Sequence, residues 1–284
     1  MSSDEILVGY DGSADATVAL EWALAEAGRS GRPVRLAYVF EWLTVAGWVG
    51  PGIAPGVWPD DTARREVEEL VRRAAADAAA AHPGRTVHGE VFDGPPALVL
   101  QERSAEAGLL VLGSRGHGGF GGLLVGSTAV SVTAHAHCPV VVVRDSRPEP
   151  AGPVVVGFDG SESAKLALGF AVERAAQRAC PLRVLRVSQP GRLSTDEAAA
   201  TLADDRAATE EAVAPWRETF PELAVTVDVT AGSPAAELVE ASRAAQLVVV
   251  GSRGRGGLRG MLLGSVSQQL IQHAHCPVAV ARER

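Results

Sequence analysis

Lysine is nearly missing from this chain: Lys165 is the only one, and the other cations are arginines. The formal charge is −8, which argues against non-specific nucleic-acid binding, because that depends on cations neutralising phosphates. No apolar run approaches the roughly 18 residues of a membrane helix. Met1-Ser2-Ser3-Asp4-Glu5 has neither the basic nor the apolar region of a signal peptide. A soluble, cytoplasmic protein is therefore expected, with no membrane and no nucleic-acid partner. Cysteine is scarce too: the chain has three, and their odd number in a cytoplasmic setting predicts reduced thiols at Cys138, Cys180 and Cys276. Three catalytic signatures are absent. There is no Gly-x-x-x-x-Gly-Lys-[Ser/Thr] phosphate loop, no Gly-x-Ser-x-Gly elbow and no Ser-His-Asp set at recognisable spacing.

What the chain does have, it has twice. Gly113-Ser114-Arg115-Gly116 is separated by nine residues from Gly126-Ser127; Gly251-Ser252-Arg253-Gly254 is separated by nine residues from Gly264-Ser265. The offset is 138 residues in both cases. Near the front of each half, Val8-Gly9-Tyr10-Asp11-Gly12-Ser13 matches Val156-Gly157-Phe158-Asp159-Gly160-Ser161 at an offset of 148. The first half thus holds ten extra residues, which fall within 41–60, a stretch carrying Trp42, Trp48 and Trp58. A repeat this long is a duplicated domain rather than a solenoid unit. Two domains are expected, 1–146 and 153–284, joined by a Pro-rich linker at 145–152.

Within each half, hydrophobic periodicity predicts alternating strands and helices. The first half reads as strands at 6–10, 34–40, 86–92, 109–112 and 139–144, with helices at 14–29, 61–81, 97–107 and 127–136. The second half repeats them: strands at 154–158, 182–187, 224–229, 247–250 and 277–281, helices at 164–178, 195–219, 235–244 and 265–273. Val/Leu-rich strands without polar interruption imply parallel sheets covered on both faces. The fold class is α/β: two tandem, Rossmann-like, doubly wound domains with strand order 3-2-1-4-5. In that order the first and fourth strands flank the switch point, where ligands bind beyond the strand ends. The last strands, 139–144 and 277–281, are short apolar edges and are expected to pair the two halves.

The candidate site follows. Glycine loops after the fourth strand suit close backbone approach to phosphate, with N–H groups of the loop and next helix turned to the anion. Gly116 to Gly121 also fits G-x-G-x-x-G, but its twin has Arg259 in place of the last glycine. Asp11 and Asp159 have two readings: acceptors for a ribose hydroxyl or adenine amine, or helix N-caps. Arg115 and Arg253 suit a bidentate phosphate contact or a solvated loop. His135, His137 and Cys138, with His273, His275 and Cys276, have soft-metal composition. They equally suit a helix C-terminus, where His complements the dipole. The Trp-rich loop reads as a lid, a partner surface or a set of anchors.

These motifs resemble the universal stress protein family in its tandem, ATP-binding branch. The likeness rests on G-x2-G-x9-G-[S/T], the opening Val-Gly-x-Asp-Gly-Ser and the closing His-Cys-Pro-Val, each present once per half. It implies ATP, alone or with Mg, across each switch point, a role as stress or growth-state sensor, and a homodimer. Carried over, Gly9 and Asp11, with Gly157 and Asp159, would face the adenosine, and Val39 and Val187 would lie near the adenine. Gly113, Ser114, Arg115 and Gly116, with His117, Gly118, Gly119, Gly126, Ser127 and Thr128, would hold phosphates in the first half. Gly251, Ser252, Arg253 and Gly254, with Arg255, Gly256, Gly257, Gly264, Ser265 and Val266, would do so in the second. Two rivals stand beside this reading: a slow ATP hydrolase or nucleotidyl-transfer enzyme, and a scaffold without nucleotide. The second loop's Arg253, Arg255 and Arg259 against the first loop's Arg115 and His117 imply a tighter second site.

Overall fold

The computed structural model describes residues 4–41, 61–116, 124–144, 151–189, 195–256 and 262–282. The Trp42, Trp48 and Trp58 loop, most of the linker, and the loop tips with His117, Gly118, Gly119, Gly257 and Arg259 lie outside them. The first half runs β1 (Ile6–Gly9), α1 (Ala14–Ser30), β2 (Val34–Phe40), α2 (Asp61–Ala81) and β3 (Val87–Asp93). It continues with α3 (Pro96–Ser104), β4 (Leu109–Gly113), α4 (Ser127–His135) and β5 (Val140–Val143). The second half runs β6 (Val154–Gly157), α5 (Glu162–Arg178), β7 (Leu182–Ser188), α6 (Thr195–Thr219) and β8 (Val225–Ala231). It ends with α7 (Pro234–Ala241), β9 (Leu247–Gly251), α8 (Ser265–His273) and β10 (Val278–Ala281).

All ten strands form one sheet in the order β3-β2-β1-β4-β5-β10-β9-β6-β7-β8. Each half therefore has the expected 3-2-1-4-5 order, and β1 lies between β2 and β4, with Val8 opposite Leu36 and Val111. Pairing is parallel within each half, and β5 meets β10 antiparallel. Their register centres on Val141 opposite Ala279, which are equivalent positions of the repeat. A twofold relation between like domains requires this: rotating a strand onto its twin across a shared edge reverses its direction. Joining the two edges satisfies backbone groups that would otherwise be exposed.

Alternation along the strands puts one core on each face of the sheet. Ile6 and Val8 belong to a cluster with α1, α2 and α5, and Leu7 to the opposite cluster with α3, α4 and α8. Both clusters run through both halves. Ile6, Leu7 and Val8 are fully buried, and each such side chain stabilises the fold by roughly 1.5–3 kcal/mol.

Element boundaries differ from expectation where caps decide. Ser161 caps α5, so that helix begins at Glu162, two residues early. α3 stops at Ser104, and a 3-10 turn, Ser242–Ala244, replaces the end of α7. Gly31 closes α1 in a left-handed conformation at φ 72°, whereas Gly28 is helical and packs under the Arg85 guanidinium.

Candidate functional site

Each crevice is built from two turns that touch. At the end of β1, Asp11 Oδ1 accepts from the Ser13 N–H at 3.0 Å, and Gly12 between them has φ 82°. Gly160 repeats this at φ 80°, with Asp159 Oδ1 accepting from the Ser161 N–H at 2.9 Å. The aspartates are not helix caps. Ser13 and Ser161 are: each hydroxyl accepts from a backbone N–H three residues on, at 3.2 Å. This leaves the second carboxylate oxygen turned to the glycine loop. Asp159 Oδ2 accepts from the Arg255 N–H at 2.8 Å. A Cβ on Gly116 would overlap Asp11 Oδ2, and one on Gly254 would come within 2.6 Å of Asp159 Oδ2. These two glycines let the loop lie directly on the carboxylate.

Gly113 and Gly251 serve a different contact. A Cβ on either would come within 2.7 Å of backbone in the first turn of α1 or α5, so they let helix and strand end meet. Beyond the loop, Gly126 and Gly264 cap α4 and α8 without a side-chain hydrogen bond. Each is fixed by its own N–H, which donates to the carbonyl of Ser114 or Ser252 at 2.8 and 2.7 Å. The first-turn N–H groups of α4 and α8 thus lack a side-chain acceptor, and a helix N-terminus in that state favours anions. Ser127 and Ser265 are exposed there, with Thr128 and Val266 half-buried beside them. Val39 and Val187, at the ends of β2 and β7, pack partly buried against the cluster on the α3 and α7 side of the sheet.

The two crevices differ in side chains that the motif does not include. In the first, Asp15 Oδ2 accepts from the Ser114 hydroxyl at 2.7 Å and the Arg115 N–H at 3.0 Å, and Arg115 Nε lies 3.4 Å away. Its repeat equivalent is Ser163, whose hydroxyl donates to the Arg253 carbonyl. At the end of β2, burial and then the Asp11 carboxylate push the Tyr38 hydroxyl above its ordinary pKa. Arg186 replaces Tyr38 in the second half and is paired with Asp205. The Arg255 guanidinium lies against Gly160, within 2.8 Å of where its Cβ would be. Ser267 Oγ, with no counterpart in Ala129, donates to the Gly251 carbonyl at 2.7 Å. Asp15, Ser163, Arg186 and Ser267 were missed by motif reading; the signal available was that each differs from its repeat equivalent beside a shared motif.

The His-Cys-Pro segments lie away from the crevices. Cys138 and Cys276 are buried, and the Ser104 and Ser242 hydroxyls accept from the N–H of His137 and His275 at 2.8 Å. His135 Nδ1 lies 2.9 Å from the Ser131 carbonyl, a helix-end contact.

Fold and site together define a tandem, doubly wound α/β protein with one glycine-loop crevice per half. The chain belongs to the universal stress protein family, whose sequence profile matches residues 3–144 and 151–282. It is 38% identical over 291 residues to a universal stress protein of Mycobacterium tuberculosis, covering 99% of this chain and 97% of that one. A Mycolicibacterium smegmatis universal stress protein is 37% identical over 292 residues, with 98% and 97% covered. Among solved structures, a universal stress protein of Archaeoglobus fulgidus shares the fold over the full length of both chains, at a TM-score of 0.74 and 23% identity.

Proposed function

We propose that the chain is a nucleotide-binding regulator that holds an adenine nucleotide, ATP foremost, in each crevice and reports stress or growth state through occupancy. The observation that carries this is the contact of Asp11 with Gly116 and of Asp159 with Gly254, beside helices whose N-termini have no side-chain cap. That arrangement offers an acceptor for a nucleoside at one end and N–H donors for phosphates at the other. Gly9, Asp11 and Val39 would meet the nucleoside, as would Gly157, Asp159 and Val187. The loops from Gly113 and Gly251 to Thr128 and Val266 would meet the phosphates, with or without Mg. Domain limits near 146 and 153, a homodimer and a cytoplasmic location complete the proposal.

Binding is favoured over turnover by the state of the carboxylates. Asp159 accepts backbone N–H bonds on both oxygens, so its carboxylate is engaged in holding the β6 turn against the glycine loop. The experiment is to denature the purified protein, identify any released nucleotide, and titrate nucleotide-free protein with ATP calorimetrically. Absence of both bound nucleotide and binding heat refutes the proposal. Steady phosphate release that glycine-loop variants lose would replace regulator with hydrolase.

A further inference from the structure

The two crevices share a motif and differ in the charge that surrounds it. In the first, the charges of Arg115, Arg144 and Asp15 act on one another. Asp15 is buried, and its Oδ2 accepts from the Ser114 hydroxyl and the Arg115 N–H. Arg115 Nε lies 3.4 Å from this carboxylate, whose charge also favours the Arg144 cation. In the second, Arg253 and Arg282 stand in the same relation to each other, and Ser163 occupies the place of Asp15. Ser163 gives its hydroxyl to the Arg253 carbonyl and takes neither donor. Among the described residues, neither the Ser252 hydroxyl nor the Arg253 N–H donates a hydrogen bond. Arg255 adds a cation against Gly160, where the first half has His117. Arg186 adds none, because Asp205 neutralises it. Glu162, in the first turn of α5, is 82% exposed and paired with Lys165 at 2.7 Å, so it does not restore the missing carboxylate.

Resting on the reading of both crevices as nucleotide sites, we propose that Asp15 is a built-in anion occupying part of the first phosphate loop, so that the two sites rank nucleotides differently. The second site gains affinity with each added phosphate and takes ATP over AMP. The first gains little, because each added phosphate meets a fixed carboxylate whose donors are already used. Occupancy of the two sites then follows different properties of the pool: the second its ATP, the first its total adenine nucleotide.

The test uses full-length chains with one crevice closed: Gly254→Asp leaves the first, Gly116→Asp the second. Each is titrated calorimetrically with ATP and with AMP. The second-site chain is expected to favour ATP by about ten-fold at low salt, and the first-site chain by no more than about three-fold, the scale of a few screened charge contacts. Asp15→Asn keeps the shape and removes the charge, and Asp15→Ser copies the other half. Either should raise ATP affinity at the first site about five-fold while changing AMP less. Ser163→Asp should do the reverse at the second site. Equal ranking in the two chains overturns the proposal, as does an unchanged ATP-to-AMP ratio in a folded Asp15→Asn chain; both leave the nucleotide reading intact. Loss of ATP binding in the unmodified protein would instead overturn that reading.

Discussion

Glu26 and Arg174 occupy the same helix position in the two halves, 148 residues apart, and in the folded chain they meet. Glu26 on α1 is fully buried, Arg174 on α5 is 2% exposed, and Arg178 Nη2 reaches the other Glu26 oxygen at 2.7 Å. Phe170 and Trp22, also repeat equivalents, lie under the guanidiniums of Arg174 and Arg178 at 4.7 and 5.5 Å. A pair of identical halves would set Glu against Glu, or Arg against Arg, at this point. The duplicated chain has opposite charges there instead, which favours pairing of unlike halves.

A buried ion pair does little for net stability, but losing one partner is costly. Arg174→Met is expected to destabilise the chain by about 3 kcal/mol. The double variant Glu26→Leu/Arg174→Leu should lie within about 1 kcal/mol of the parent, or above it. Urea unfolding of the three proteins checks both; equal losses in the single and double variants would contradict this account.

The glycine loops give a direct prediction. Gly116→Asp and Gly254→Asp together should abolish ATP binding and leave the fold intact, because each new side chain meets Asp11 or Asp159 at an exposed crevice, outside the core. Calorimetric titration of the folded double variant is the measurement. Unchanged affinity would remove these loops from the site.

Arg144 and Arg282 tie each crevice to the opposite domain. Arg144 Nη2 donates to the Ile271 carbonyl of α8 at 2.6 Å and to the Leu124 carbonyl at 3.3 Å. Arg282 Nη2 mirrors it on Ala134, at the end of α4, and on Leu262, at 2.5 and 3.2 Å. Charge-assisted hydrogen bonds of this kind are worth about 1.5–3 kcal/mol. Arg144→Ala should therefore lower stability by about 2 kcal/mol and speed hydrogen exchange in α8 of the other half. Exchange altered only near residue 144 would show that the tie does not cross the junction.

Cys276 gives stability a pH dependence. Burial pushes its thiol from 9.0 up to about 12 in the folded chain. Below pH 9 both folded and unfolded chains hold the proton, so the group costs nothing. Between 9 and 12 the unfolded chain loses it first, and stability falls by up to about 1.4 kcal/mol per pH unit. Cys276→Ala should flatten that part of the curve, as measured by urea midpoints across pH 8–10.5. The thiol should also resist alkylation at pH 8.5 until the chain unfolds.

What the sequence determined by itself was everything that depends on local pattern and on being written twice. Apolar runs such as Leu109–Gly113 and Leu247–Gly251 declared buried strands, whereas the caps at Ser13 and Ser161 became visible only in the structure. The paired spacings fixed a duplicated α/β domain and, through its fold class, the order 3-2-1-4-5. What it could not carry was which side chains from distant positions meet. Asp15 and Ser114 lie 99 residues apart in the chain, and the Ser114 hydroxyl donates to the Asp15 carboxylate at 2.7 Å. Glu26 and Arg174, at 148 residues, share a buried pair. Neither contact leaves a local signature, because helix periodicity is blind to what lies across the interface. Only packing α1 against the end of β4, and α1 against α5, brought these charges together. There, little exposed to water, a single carboxylate gives two copies of one motif different surroundings.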